Sequence, residues 1–314
     1  MKQWIKKLSV AVLAGALTLP SALPVLASEA GSFEGETVKI GVVSGPEEDV
    51  WQVVVDKAAE EGITVELELF TDYVQPNVAL QDGSIDLNAF QHVAFLEDWN
   101  ASNDGTLEPI GYTFVSPMGA YSDSITSLDE LEDGDQVAIP NDPTNGGRAI
   151  LALELAGVIE VDDAAGALAT VDDITDNPKN INIVELEAAQ LSAAIPDSKA
   201  TFINTNFATD AGLSLADAIF VDADYPDELN ESYKNVIAAR SEDVENPLYQ
   251  RIVEIYQTEE VAQAIYDSTN GGDKAIWEGA PVIEGPASAD VAEEADVNSE
   301  EAEADEESSE ETSN

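Results

Sequence analysis

The stretch from Thr37 to Phe70 sets the tightest limit on what this chain can become. Thr37 to Val43 (T-V-K-I-G-V-V) is a short run rich in β-branched residues, and it stops at the turn signal Ser44-Gly45-Pro46. Glu47 to Glu61 then reads as a helix closed by Gly62. Ile63 to Phe70 (I-T-V-E-L-E-L-F) alternates apolar and polar residues, the period of a strand with one wet face. Strand, helix, strand in so short a span is the mark of an open α/β sheet. The pattern continues with a helix over Pro76 to Gln81, stopped by Gly83, and a strand over Ile85 to Phe90. It resumes in the second half with strands over 136–140, 181–186, 200–203, 219–221 and 236–239. A helix is expected over Gly147 to Ala156, and a single long amphipathic helix over Leu248 to Asp267.

Charge narrows the possible partners. The chain holds 64 acidic residues against 12 Lys and Arg, a net charge of −52. Nucleic acid and anionic membrane both require basic residues to neutralise phosphate, so neither is expected to bind. Such a surface fits adaptation to high salt, where screening relieves self-repulsion, or a dedicated cationic partner. The melting temperature is therefore expected to rise between low and molar salt, and a thermal scan across that range checks it. Cysteine is absent, which excludes disulfides, thiol catalysis and zinc–thiolate sites. His92 is the sole histidine, so neither a transition-metal site nor any cofactor is expected.

The two ends differ in character from the middle. Residues 1–27 read as a signal peptide: Lys2, Lys6 and Lys7 precede the apolar run Leu8 to Leu19, and Val25-Leu26-Ala27 offers a cleavage site. Residues 28–36 read as a flexible leader. Residues 281–314 carry 13 acids and no base, and read as a disordered tail.

Six segments together carry a resemblance: D-Y-V-Q-P-N at 72–77, N-A-F-Q-H at 88–92, T-F-V-S-P-M-G-A-Y-S at 113–122, P-N-D-P-T-N-G-G-R at 140–148, N-P-K-N-I-N-I-V-E-L-E-A-A-Q at 177–190, and I-N-T-N at 203–206. In this order and spacing the chain resembles the methionine-binding lipoprotein family of ABC importers, the NlpA/MetQ type, from about Val38 to Trp277. The resemblance implies a two-lobed periplasmic-binding-protein type II fold, with two open α/β sheets joined by a two-strand hinge. Residues 37–116 plus 226–280 would form one lobe and 117–225 the other, with the ligand between them. It implies a monomer that captures L-methionine or a close analogue outside the membrane and delivers it to an ABC permease. A lipid-carrying cysteine would be expected where Ser28 stands, and a tyrosine where Ser116 stands. The smaller Ser116 leaves a methionine-containing dipeptide or another small amino acid open as ligand.

A free amino acid presents a carboxylate, an ammonium and a side chain. The segment 140–148 joins a strand to a helix start, where backbone N–H groups and the positive helix end can face an anion, and Arg148 can add a two-pronged fork for the carboxylate. Asn145 is either the cap of that helix or a ligand contact. Asn204 and Asn235, which the resemblance places in the ligand site, can orient either charged group. Tyr73, Phe90 and Phe114 would line the side-chain pocket, since a thioether packs well on aromatic edges. His92 enters through the N-A-F-Q-H match as a hydrogen-bond donor. An enzyme is not expected: G-x-S-x-G, H-E-x-x-H and phosphate-loop motifs are all missing.

Overall fold

The computed structural model describes residues 33–222 and 231–283. The expected signal peptide, the leader up to residue 32 and the tail from residue 284 lie outside the described residues. The chain first forms β1 (Thr37–Val43), α1 (Pro46–Glu60), β2 (Thr64–Phe70), α2 (Gln75–Gln81), β3 (Leu87–His92), α3 (Val93–Asn103) and β4 (Leu107–Val115). It continues through β5 (Met118–Tyr121), β6 (Gln136–Pro140), α4 (Pro143–Leu155), β7 (Glu160–Val161), β8 (Ile174–Asp176) and β9 (Asn182–Leu186). Then come α5 (Leu191–Ala194), β10 (Ala200–Asn204), α6 (Thr205–Asp210) and β11 (Phe220–Val221). It ends with β12 (Lys234–Arg240), α7 (Pro247–Tyr256), α8 (Glu259–Ser268) and β13 (Lys274–Ala275).

Two sheets result, ordered β13-β4-β12-β3-β1-β2 and β11-β5-β10-β6-β9, with β7 and β8 forming a separate ribbon. The chain leaves the first sheet between β4 and β5 and returns to it after β11, the expected two-lobed α/β arrangement with two crossings. In the first sheet β2 and β3 run parallel to β1, and β12 runs antiparallel to both β3 and β4. In the second, β9 and β10 run parallel to β6, and β5 is antiparallel to β10 and β11. Each sheet has its own core. Trp51 of α1 packs on Tyr256 of α7 at 4.9 Å under the first sheet. Phe202 and Ile139 meet Ile150 and Leu153 of α4 under the second. A third apolar cluster draws on both, bringing Val43 and Phe90 together with Ile203, Leu191 and Phe207.

Some local expectations change. The helix expected over 248–267 is two helices, because Gln257 leaves helical geometry and Thr258 is extended at the start of α8. Thr258 followed by Glu259 and Glu260 is itself a helix-start signal, masked in the sequence by a continuous apolar face. Helix α4 begins at Pro143 rather than Gly147, and its cap is Asp142, whose side chain accepts from the Asn145 N–H. Asn145 is therefore not the cap; it lies in the first turn and turns its side chain elsewhere. Helix α3 follows β3 directly with His92 as its cap, an unusual capping residue whose Nδ1 accepts from Phe95 N–H at 3.1 Å. Strand β4 contains Pro109 and Gly111, which argue against a strand in sequence; its pairing with β12 shifts register near Pro109 to accommodate them.

Candidate functional site

A cavity with about 410 Å³ of atom-free space, its mouth included, lies where the carboxyl ends of strands from the two sheets converge. This is where open α/β sheets bind ligands. All eight residues singled out from sequence line it: Tyr73, Phe90, His92, Phe114, Asn145, Arg148, Asn204 and Asn235. The first sheet contributes Phe90 and His92 from β3, Phe114 from β4 and Asn235 from β12, which pairs with His92 across the ladder. Asn145 and Arg148 come from the first turns of α4, and Asn204 from the end of β10. Glu47, Gln91, Phe95, Ser116 and Asn206 complete the wall.

Arg148 is buried, with 5% of its surface exposed. Its Nε donates to Asp222 Oδ2 at 2.6 Å, its Nη2 donates to the Ser116 carbonyl at 2.9 Å, and its guanidinium lies 4.6 Å from the centre of the Tyr233 ring. Among the described residues its Nη1 hydrogens have no hydrogen-bond partner, which leaves one edge of the fork for an anion. Asp222 also accepts from Met118 N–H at 2.8 Å. One carboxylate thus ties the cavity's cation to the crossing between the sheets. Close packing sets the height of α4: a Cβ at Gly146 would stand 2.8 Å from the Pro140 carbonyl oxygen, and one at Gly147 2.6 Å from that of Ala167.

The polar wall is ordered by Asn145. Its Nδ2 donates to both oxygens of Asp142, at 3.0 and 3.1 Å, which fixes its Oδ1 toward the cavity. That oxygen accepts from Asn204 Nδ2 at 2.9 Å and faces His92 Nε2 at 3.4 Å. Because Nδ1 is an acceptor, the ring carries its proton on Nε2. Burial, with Arg148 nearby, lowers the His92 pKa to about 3, so the ring is neutral throughout the physiological range. Folding a neutral His92 favours stability above its ordinary 6.5, and that contribution is lost as pH falls toward 3.

The apolar wall is an aromatic cage. Tyr73 stands 5.9 Å from Phe90, 5.9 Å from Phe95 and 4.9 Å from Phe207. Beneath it lies an amide network that accounts for two of the sequence segments. Asn77 exchanges 2.7 Å bonds in both directions with Gln91 and accepts from Asn88 Nδ2 at 2.8 Å. These bonds lock α2 to β3 and so hold Tyr73 and Phe90 in register. Asn77→Ala should cost about 2 kcal/mol of stability by orphaning buried amides, read from urea unfolding.

Sequence reasoning missed Glu47, Gln91, Phe95 and Asn206 as cavity residues, and Asp222 as the partner of Arg148. Gln91 and Asn206 lie inside the N-A-F-Q-H and I-N-T-N segments and could have been found there. Glu47 and Asp222 had no signal to separate them from the chain's other acids.

Two α/β lobes with a polar and aromatic cleft between them define a binding protein for a small molecule. The chain belongs to the NlpA lipoprotein family, whose model matches residues 38–277. It is 43% identical over 244 residues to the D-methionine-binding lipoprotein MetQ of Escherichia coli K12, covering 76% of this chain and 88% of that protein. A nutrient-binding protein from Burkholderia cenocepacia, solved bound to methionine, matches with TM-score 0.73 and 41% identity over 76% of this chain and all of that one. The substrate-binding protein of a methionine transporter from Streptococcus pneumoniae matches with TM-score 0.72 and 35% identity, over 77% of this chain and 96% of that one.

Proposed function

We propose that this chain is the substrate-binding protein of an ABC importer and that its ligand is methionine. The observation that carries the reading is a buried arginine, at 5% exposure, whose one uncommitted edge shares a cavity with an aromatic cage. The arginine suits a carboxylate and the cage a thioether, the two ends of methionine. The named properties of the relatives support the same ligand. In this reading residues 37–116 and 226–280 act as one lobe and 117–225 as the other. The ligand favours the closed form because only that form touches it from both sides.

The protein works outside the membrane, as a monomer, and passes its ligand to a permease. Cysteine, the residue that would carry the lipid implied by the relatives' names, is absent from the sequence. Among the described residues no helix is long and apolar enough to cross a membrane. Binding without turnover is the expected activity. Isothermal titration with L-methionine, D-methionine and a methionine-containing dipeptide tests the reading and ranks the ligands. Saturable heat with methionine is expected; no heat and no thermal shift with any amino acid or short peptide would remove the reading.

A further inference from the structure

Helix α6 is where the first sheet's half of the molecule meets the second's. It opens at the end of β10, and Thr205 Oγ1 donates to the Pro117 carbonyl at 2.6 Å, which pins its first turn to the crossing between β4 and β5. Three separate segments of the first half arrive there. The turn after β1 comes in at Gly45, where a Cβ would stand 3.6 Å from Asp210 Cβ and 3.7 Å from the Asn206 carbonyl oxygen. The loop between α8 and β13 comes in at Gly272, where a Cβ would stand 3.3 Å from Leu215 Cδ1 and 3.4 Å from Thr205 Cγ2. The loop between β2 and α2 brings Tyr73, whose ring lies 4.9 Å from Phe207 and whose hydroxyl donates to Asn206 Oδ1 at 2.6 Å. The first two approaches are non-directional packing; the third is a directed bond. For comparison, His92 Nε2 stands 3.4 Å from Asn145 Oδ1 across the same cleft.

Both partners of the Tyr73 bond are prepared for it. Asp72 Oδ1 accepts from the N–H groups of Val74 and Gln75 at 2.7 and 2.9 Å, which fixes the loop on which Tyr73 stands. Desolvation, with Glu47 and Asp142 nearby, raises the Tyr73 pKa well above its ordinary value, so the hydroxyl keeps its proton and stays a donor across the physiological range. Asn206 is 6% exposed, and among the described residues its Oδ1 has no other donor. Without the Tyr73 hydroxyl a shut cleft would leave that oxygen buried and unsatisfied, whereas an open cleft would give it water.

We infer that the Tyr73 hydroxyl and the Asn206 side chain form a latch that holds the two halves of the molecule shut over the bound ligand. The inference rests on the methionine reading for its ligand and adds to it a closing bond made by the protein alone. Ring and hydroxyl of Tyr73 then have separate tasks: the ring walls the cavity and the hydroxyl positions one half against the other. Such a bond shifts the balance between open and closed forms by the same factor for every ligand that the closed form holds. It acts on the stay of the ligand rather than on its entry, because the arriving ligand meets an open cleft in which the bond is not yet made.

The test is a double-mutant cycle on the full chain with Tyr73→Phe, Asn206→Ala and the two combined, read by rapid filtration with radiolabelled L-methionine and L-norleucine. Tyr73→Phe keeps the ring and removes only the hydroxyl. It should speed methionine dissociation about tenfold, the scale of one buried hydrogen bond, and leave association within about twofold of the wild type. In the Asn206→Ala background the same change should have no effect beyond about twofold, since its partner is already gone. Norleucine, which lacks the sulfur, should show the same factor as methionine in Tyr73→Phe; a hydroxyl that touched the sulfur would affect methionine alone. Melting curves establish that the variants fold, and if Asn206→Ala does not, the comparison of the two ligands on Tyr73→Phe decides. Dissociation from Tyr73→Phe at the wild-type rate, effects of the two substitutions that multiply, or a factor confined to methionine overturns the latch while leaving the methionine reading intact. A wild type that binds neither ligand overturns both.

Discussion

Arg148→Gln binds methionine at least about a hundredfold more weakly than the wild type. Two charge-assisted hydrogen bonds to a carboxylate, each worth about 1.5–3 kcal/mol, set that scale. The substitution also leaves Asp222 buried beside the crossing without its cation, so the melting temperature falls as well. A loss of affinity could then reflect damage rather than recognition. Arg148→Gln combined with Asp222→Asn separates the two: the uncompensated charge is gone, so stability returns while binding does not. Arg148→Lys keeps the charge but loses the planar fork, and should fall between the wild type and the Gln variant in affinity. Calorimetric titration of the set against methionine, with melting curves alongside, reads all of these outcomes.

Asp222→Ala is expected to cost more stability than any other substitution at the site, about 3–5 kcal/mol. That is the usual consequence of breaking a buried ion pair from one side. Asp222 is also the acceptor for Met118 N–H, so the same change opens the backbone at the start of β5. Among the described residues the guanidinium then keeps its hydrogen bond to the Ser116 carbonyl and its place over the Tyr233 ring, but no carboxylate bond. Its fork loses the bond that aims it, and methionine affinity should fall with stability rather than independently of it. Urea unfolding with and without saturating methionine measures both. A ligand-induced gain in stability as large as the wild type's would show that Asp222 does not position the arginine.

How much of this was legible in sequence depended on whether a residue stood out from its background. Arg148 did, as one of few cations in a chain with 64 acids, beside a strand-to-helix turn. Asp222, 74 positions away, did not, because nothing local distinguishes it from its many equals. Glu47 was hidden for the same reason, although the turn before it was read correctly. The alternation of strands and helices gave the layer architecture, since burial enforces period along each segment. It failed where a side chain performed an unusual local task. His92 caps α3 in place of the usual Ser, Thr, Asp or Asn, so that helix had no start signal. The sequence leaves Asn145 open between cap and ligand contact; Asp142 accepts its N–H and is the cap, which frees the Asn145 side chain to organise Asn204 and His92. Gly147 reads as a helix start, whereas it and Gly146 lie inside α4 and mark its close contact with its surroundings.

Native mass spectrometry of the protein purified without unfolding, followed by release and identification of whatever it carries, tests the central claim most directly. A cleft that pairs a buried guanidinium edge with an aromatic cage should come out of the cell holding methionine, and should exchange it for added labelled methionine. A cleft that holds a sulfur-free solute and rejects methionine offered in excess would contradict the account.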